Sequence, residues 1–129
     1  MKKLIYPVII TEVNDEDGHY FGVSSPNIEG MVTQGKTLED AVYWAEDAIA
    51  TMLEGEEYPK PQDPRTWKLE TNESVVYVTV DMEKWLRSKS PKIRKNVSVP
   101  EYLVDLGKKE KINFSQLLTE ALENKLLNN

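Results

Sequence analysis

Cysteine is absent from the 129 residues, and histidine occurs once. The missing thiols exclude disulfides, zinc thiolates and thiol nucleophiles, and they suit a reducing compartment. His19 has no nucleophile or ligand cluster near it in the chain, so it is expected to be a strand-surface residue rather than a base. No apolar run approaches the roughly 18 residues needed to cross a bilayer. "MKKLIYPVIITEV" pairs a basic start with an apolar run. That run is short, contains Pro7, meets Glu12 and lacks a small-residue cleavage site, so it predicts a strand and not a signal peptide. A soluble cytoplasmic protein without metal, cofactor or membrane partner is the expectation.

What is present is ordinary for folded material: 40% hydrophobic and 29% charged residues, in a length that suits one domain or two small ones. The net charge of −6 conceals a division: residues 1–82 hold 6 Lys+Arg against 16 Asp+Glu, whereas residues 83–129 hold 10 against 6. An acidic body suits a basic protein partner, and a basic tail suits phosphates.

Leu4 to Glu12, rich in Ile, Val and Tyr, predicts a strand, with Pro7 pointing to an edge position or a bulge. "NDEDG", Asn14 to Gly18, is a turn signal, and His19 to Ser24 returns as a second strand. After the loop Ser25 to Gly30, Met31 to Gln34 predicts a short third strand ended by Gly35. Thr37 is a helix N-cap with Asp40 in the first turn. Leu38, Ala41, Val42, Ala45, Ala48, Ile49, Met52 and Leu53 form one apolar stripe that stops at Gly55. "GEEYPKPQDPR" has linker composition, yet only Ser74 to Val80 follows it as a strand, and one strand cannot bury itself. That strand is therefore expected to complete the first sheet, with Met82 to Leu86 as a short helix packing Trp85. "RSKSP", Arg87 to Pro91, is the better boundary, giving domains 1–87 and 88–129.

In the second domain Ile93, Lys95, Val97 and Val99 alternate with Arg94, Asn96 and Ser98, which predicts a strand. Pro100 at a first helical position starts a helix carrying Leu103 and Leu106, with Gly107 near its end or at a close contact. Asn113 caps a second helix, with Gln116 three residues on and Ile112 placed to staple onto Leu117. Its stripe is Phe114, Leu117, Leu118, Ala121, Leu122 and Leu126. A strand and two short helices fall below the roughly 40 residues at which a unit folds alone, and no cysteine is available to crosslink them. Pairing of two copies through the lone strand is the expected solution.

This strand-helix-helix order resembles the ribbon-helix-helix family of dimeric DNA-binding domains. The resemblance implies an antiparallel ribbon in the major groove, with Arg94, Asn96 and Ser98 reading bases. Arg suits guanine O6 and N7, and Asn suits adenine N6 and N7. Lys92 and Lys95 would attract phosphates, and Asn113, Phe114 and Ser115 at a helix N-terminus would clamp one. Lys95 departs from the apolar residue expected there.

"YFGVSSPNIEGMVTQGKTLEDAVYWAEDAI", Tyr20 to Ile49, resembles the HicB antitoxin family, with "TQGKTLEDA", Thr33 to Ala41, as its most specific part. The resemblance implies an α+β protein: a β-β-β-α-β domain with a partial ribonuclease-H-like sheet, followed by the dimerising ribbon-helix-helix. It also implies an antitoxin that neutralises a small basic HicA-type mRNA-cleaving toxin and represses the operon encoding both. It assigns no toxin contacts. Two alternatives stay open. One is a protein-binding antitoxin whose tail only dimerises. The other is a metal-dependent nuclease using Glu12, Asp15, Asp17 and Asp81, although Asp15 and Asp17 sit in a turn signal where Asp is expected anyway. Tyr20, Phe21, Tyr43 and Trp44 are candidate interface anchors, with packing as the competing role.

Overall fold

The computed structural model describes residues 3–127. Met1, Lys2, Asn128 and Asn129, at the outer ends of the two expected domains, lie outside the described residues. The chain divides into two compact units, one ending at Trp85 and the other beginning at Leu86.

In the first unit, β1 (Leu4–Asp15) and β2 (Gly18–Ser24) form an antiparallel hairpin, paired from Ile9 opposite Ser24 to Asp15 opposite Gly18. The Asp17 amide donates to Asp15 Oδ1 at 2.9 Å, and Gly18 holds a φ of +110°. Asp at the first position and Gly at the last suit a type I turn. β3 (Val32–Gly35) pairs with β2, and β4 (Glu73–Val80) pairs with β1, for a sheet order β3-β2-β1-β4. The strand after the proline-rich segment thus completes the first sheet, as its inability to bury itself requires.

The edge position expected from Pro7 is corrected, because β1 lies between β2 and β4. The proline is tolerated there because β2 pairing stops at Ile9. Beyond it the Pro7 carbonyl accepts the Ser25 hydroxyl at 2.7 Å. A residue's N and C=O point the same way in a strand, so the missing N–H of Pro7 falls where the ladder has already ended.

One face of the sheet carries Tyr6, Val8, Ile10, Val23, Val78 and Val80, all buried, matched across strands by Tyr6 opposite Val78 and Ile10 opposite Val23. α1 (Leu38–Leu53) covers it with Ala41, Ala45, Ile49 and Leu53, an i+4 row, with Ala50 buried beside it. Each fully buried Val or Ile contributes about 1.5–3 kcal/mol. The expected stripe was wider than this row, and Leu38 and Met52 on its rim are exposed. Thr37 Oγ1 accepts the Asp40 amide at 3.1 Å and so caps the helix, as its sequence position implies.

The proline-rich segment, linker-like in composition, is fastened to the sheet end. The Tyr6 hydroxyl donates to the Pro59 carbonyl at 2.7 Å. Buried Asn27 donates to the Lys60 carbonyl at 3.1 Å and accepts from the Gln62 amide at 2.7 Å. A 3-10 turn at Pro64–Thr66 begins at Asp63, whose carboxylate takes hydrogen bonds from Arg65 that lower its pKa to about 2. The chain then enters β4 and α2 (Met82–Lys89), longer than the expected Met82 to Leu86. Asp81 Oδ1 accepts the Lys84 amide at 3.1 Å, which stabilises the N-terminus of α2. The Trp85 indole donates to Asp47 Oδ1 at 3.0 Å.

Gly35 is the tightest point of the unit. A Cβ there would sit 2.3 Å from the Ala41 amide nitrogen and 2.7 Å from the Asp40 carbonyl carbon. Gly35→Ala is expected to destabilise the first unit by about 3 kcal/mol or more, because the obstructing atoms are backbone; urea denaturation measures it. The Asp63 interaction has a defined pH sense. Its folded pKa is depressed, so its stabilisation is present above the ordinary carboxylate range and is lost as pH falls through about 2. In Arg65→Gln, carboxylate NMR titration should find the Asp63 pKa raised toward the ordinary carboxylate range but still below it, because the residue-65 amide keeps its hydrogen bond to Asp63 Oδ1 at 3.0 Å.

Candidate functional site

The second unit contains the basic segment. Residues 90–100 form neither helix nor strand and are exposed throughout. The strand expected over Ile93 to Val99 is therefore not formed within one chain, which corrects that expectation. The physical reason is that a strand is defined by a ladder, and the ladders among the described residues join β1 to β4 only. Ile93 is 85% exposed and Val97 56% exposed. Lys92, Arg94, Lys95, Asn96 and Ser98 all lie open to solvent on this stretch.

α3 (Glu101–Lys109) follows, with Pro100 as its N-cap at φ −52° and ψ 137°, one residue earlier than the first helical position expected. The end of α3 is a Schellman motif: the Ile112 amide donates to the Gly107 carbonyl at 3.0 Å, and the Lys111 amide to the Lys108 carbonyl at 3.2 Å. Lys111 holds the left-handed conformation at φ 57°, a place usually taken by glycine. α4 (Phe114–Leu127) is capped by Asn113 Oδ1, which accepts the Gln116 amide at 3.0 Å. The Gln116 side chain donates to Glu120 rather than reaching back to close a capping box. As in any helix, the first-turn amides of Phe114 and Ser115 have no intrahelical acceptor.

Gly107 is where the two helices meet, since a Cβ there would lie 2.5 Å from Phe114 Cζ. The close contact expected at this glycine is present, and its partner is the Phe114 ring. Arg87 and Glu123 form an ion pair. Gly107 is nevertheless the one buried residue from Arg87 onward among the described residues. Leu106, Leu117, Leu122 and Leu126 are exposed, and Val97, Val99, Val104 and Phe114 help line an open trough of about 490 Å³.

The carboxylates offered for metal chemistry have other uses in the first unit. Glu12 Oε1 lies 2.8 Å from His19 Nε2, across the hairpin. Asp15 accepts from the Asp17 amide and, at 3.2 Å, from the Tyr20 hydroxyl. Partial burial, with the nearby Asp15 charge, raises the Tyr20 phenol pKa. Asp81 caps α2, and among the described residues no three His, Asp or Glu side chains converge as metal ligands. His19 packs edge-on to Phe21 with ring centroids 5.2 Å apart, on the strand surface where it was expected. Tyr43 and Trp44 differ from the packing role: they are 68% and 49% exposed and meet each other edge to face at 5.2 Å.

The left-handed Lys111 could not be found from sequence, because the usual glycine signal is missing. An L-residue there costs about 1–2 kcal/mol, and the added unfolded-chain entropy of glycine takes back about 0.4–1 kcal/mol. Lys111→Gly should therefore stabilise the α3–α4 turn by about 0.5–1 kcal/mol, measured by hydrogen exchange of the α3 amides.

A family model for the HicB-like antitoxin of bacterial toxin-antitoxin systems matches residues 6–120. The chain is 32% identical to an uncharacterized 14.9 kDa protein from the rep-hol intergenic region of Haemophilus phage HP1, over 96% of this chain and 98% of that one. It is 40% identical to a UPF0150 protein of Thermoplasma acidophilum over 46% of this chain and 83% of that one. Among solved structures, it matches a chain of a toxin-antitoxin complex from Streptococcus pneumoniae with a TM-score of 0.56 and 25% identity, covering 96% of this chain and 99% of that chain. The match spans both units described above, and the chain belongs to the HicB-like antitoxin family of bacterial toxin-antitoxin systems.

Proposed function

We propose that this antitoxin neutralises a HicA-type, mRNA-cleaving toxin through residues 1–87, built on a partial ribonuclease-H-like sheet. Residues 88–129 dimerise as a ribbon-helix-helix that binds operator DNA and represses the operon encoding both proteins. The observation that carries the DNA reading is the state of residues 90–100: exposed, unpaired, basic and alternating. Two copies placed antiparallel would complete each other's ladder. Ile93, Val97 and Val99 would then turn toward the uncovered apolar residues of α3 and α4, removing the largest unburied apolar surface of the unit from water.

In that ribbon Arg94, Asn96 and Ser98 lie on the opposite face and enter the major groove as base readers. Lys92 and Lys95 supply phosphate attraction. The free amides at the α4 N-terminus, with Asn113 and Ser115 beside them, suit a backbone phosphate. Phe114 contributes its amide there, because its ring is committed to Gly107. The acidic first unit is matched in sign to a cationic toxin. The protein acts by binding, with no catalytic group and no cofactor.

Arg94→Ala and Asn96→Ala should each weaken binding to a pseudo-palindromic operator by about 1–3 kcal/mol while sedimentation still finds a dimer. Val97→Asp should instead abolish the dimer and operator binding together. Wild-type affinity should fall steeply with salt as counterions are released. A double variant that binds the operator as well as wild type would leave the tail with dimerisation alone.

A further inference from the structure

We infer that the outward face of α1, centred on Tyr43 and Trp44, is the docking surface for the toxin, and that it receives a lysine- and arginine-rich patch of that protein. The inference rests on the toxin-neutralising reading and adds the surface and its chemistry. Two adjacent large aromatics on the solvent side of a helix contribute little to the fold. At 68% and 49% exposure much of each side chain faces solvent, and their edge-to-face contact leaves ring surface open. Trp and Tyr are the residue types that most often carry binding energy in protein interfaces.

Charge identifies the occupant. On a helix the neighbours of a side chain are those three and four residues away. For Tyr43 these are Glu39, Asp40, Glu46 and Asp47, and for Trp44 they include Asp40 and Asp47. Glu39 and Asp40 are exposed, and α1 contains no Lys or Arg to neutralise them. Asp47 is held by the Trp85 indole, which fixes one wall of the patch. Open aromatic faces ringed by carboxylates suit guanidinium and ammonium groups, which stack on the rings and pair with the acids. The sheet face bearing Tyr77, 53% exposed, offers no such ring of carboxylates: its neighbour Arg65 is a cation already paired with Asp63. Charge complementarity therefore selects α1.

The test uses the full chain and the HicA-type toxin of its own operon in a catalytically inactive form, with affinity and association rate measured by biolayer interferometry. Tyr43→Ser combined with Trp44→Ser should lower affinity by about 30-fold or more, with thermal unfolding and operator binding unchanged. Asp40→Lys should lower the association rate by about 10-fold at low salt and flatten its salt dependence. Tyr77→Ser should change nothing. If wild type binds the toxin and both α1 variants bind equally well, or if Tyr77→Ser is the change that abolishes binding, the α1 surface is wrong while the toxin reading stands. If wild type does not bind, the toxin reading itself fails, and the docking surface with it.

Discussion

The approach of Gly35 to the first turn of α1 fixes the geometry on which the first unit depends. With no side chain between them, the last residue of β3 lies against the Asp40–Ala41 peptide. That contact anchors the rotation of α1 about its own axis, and the Thr37 cap fixes where the helix starts. Once rotation and start are set, Ala41, Ala45, Ile49 and Leu53 must face the sheet. Tyr43 and Trp44, about 140° and 120° around the helix from the centre of that row, then face out. The "TQGKT" segment is thus a mechanical joint: Gly permits contact, and Thr begins the helix that the contact orients.

The two units solve the burial problem differently. The first closes its core within one chain, and its polar interior is accounted for: Ser25 and Asn27 are buried, and both are hydrogen-bonded to backbone. The second has the helix caps, the Schellman turn and the Gly107–Phe114 contact that set its local geometry. It has almost nothing to bury them against. Local devices of this kind specify a shape at about 1 kcal/mol each, but they do not replace a core. A segment that is well capped and poorly buried has the character of half a structure, which is the physical argument for a second copy.

Legibility in the sequence followed the range of the interaction. Features set within four residues were readable: the Asp15–Gly18 turn, the Thr37 and Asn113 caps, and the row of small and branched residues on α1. The basic alternating segment was readable as chemistry but not as structure, because alternation alone does not make a strand and none forms over residues 90–100. Pro7 misled because the rule about proline in sheets concerns the hydrogen-bonding position and not the strand as a whole. The outward placement of Tyr43 and Trp44 was implicit in the α1 row, which omits both. Their role was not, because aromatic type alone does not distinguish a residue packed at the rim from an interface anchor.

The different stoichiometry of the two proposed activities has a consequence for how the antitoxin works. A docking face on α1 is complete in a single chain, whereas a DNA-reading ribbon exists only when two chains share it. Below the dimer dissociation constant the concentration of ribbons falls with the square of chain concentration, while that of toxin-docking faces falls only linearly. Falling antitoxin would therefore lose the operator before it loses the toxin, so transcription resumes while toxin is still held. The exposed segment at residues 90–100, outside any strand of the chain, makes that order possible: a tail that folded alone would give both activities the same dependence on concentration.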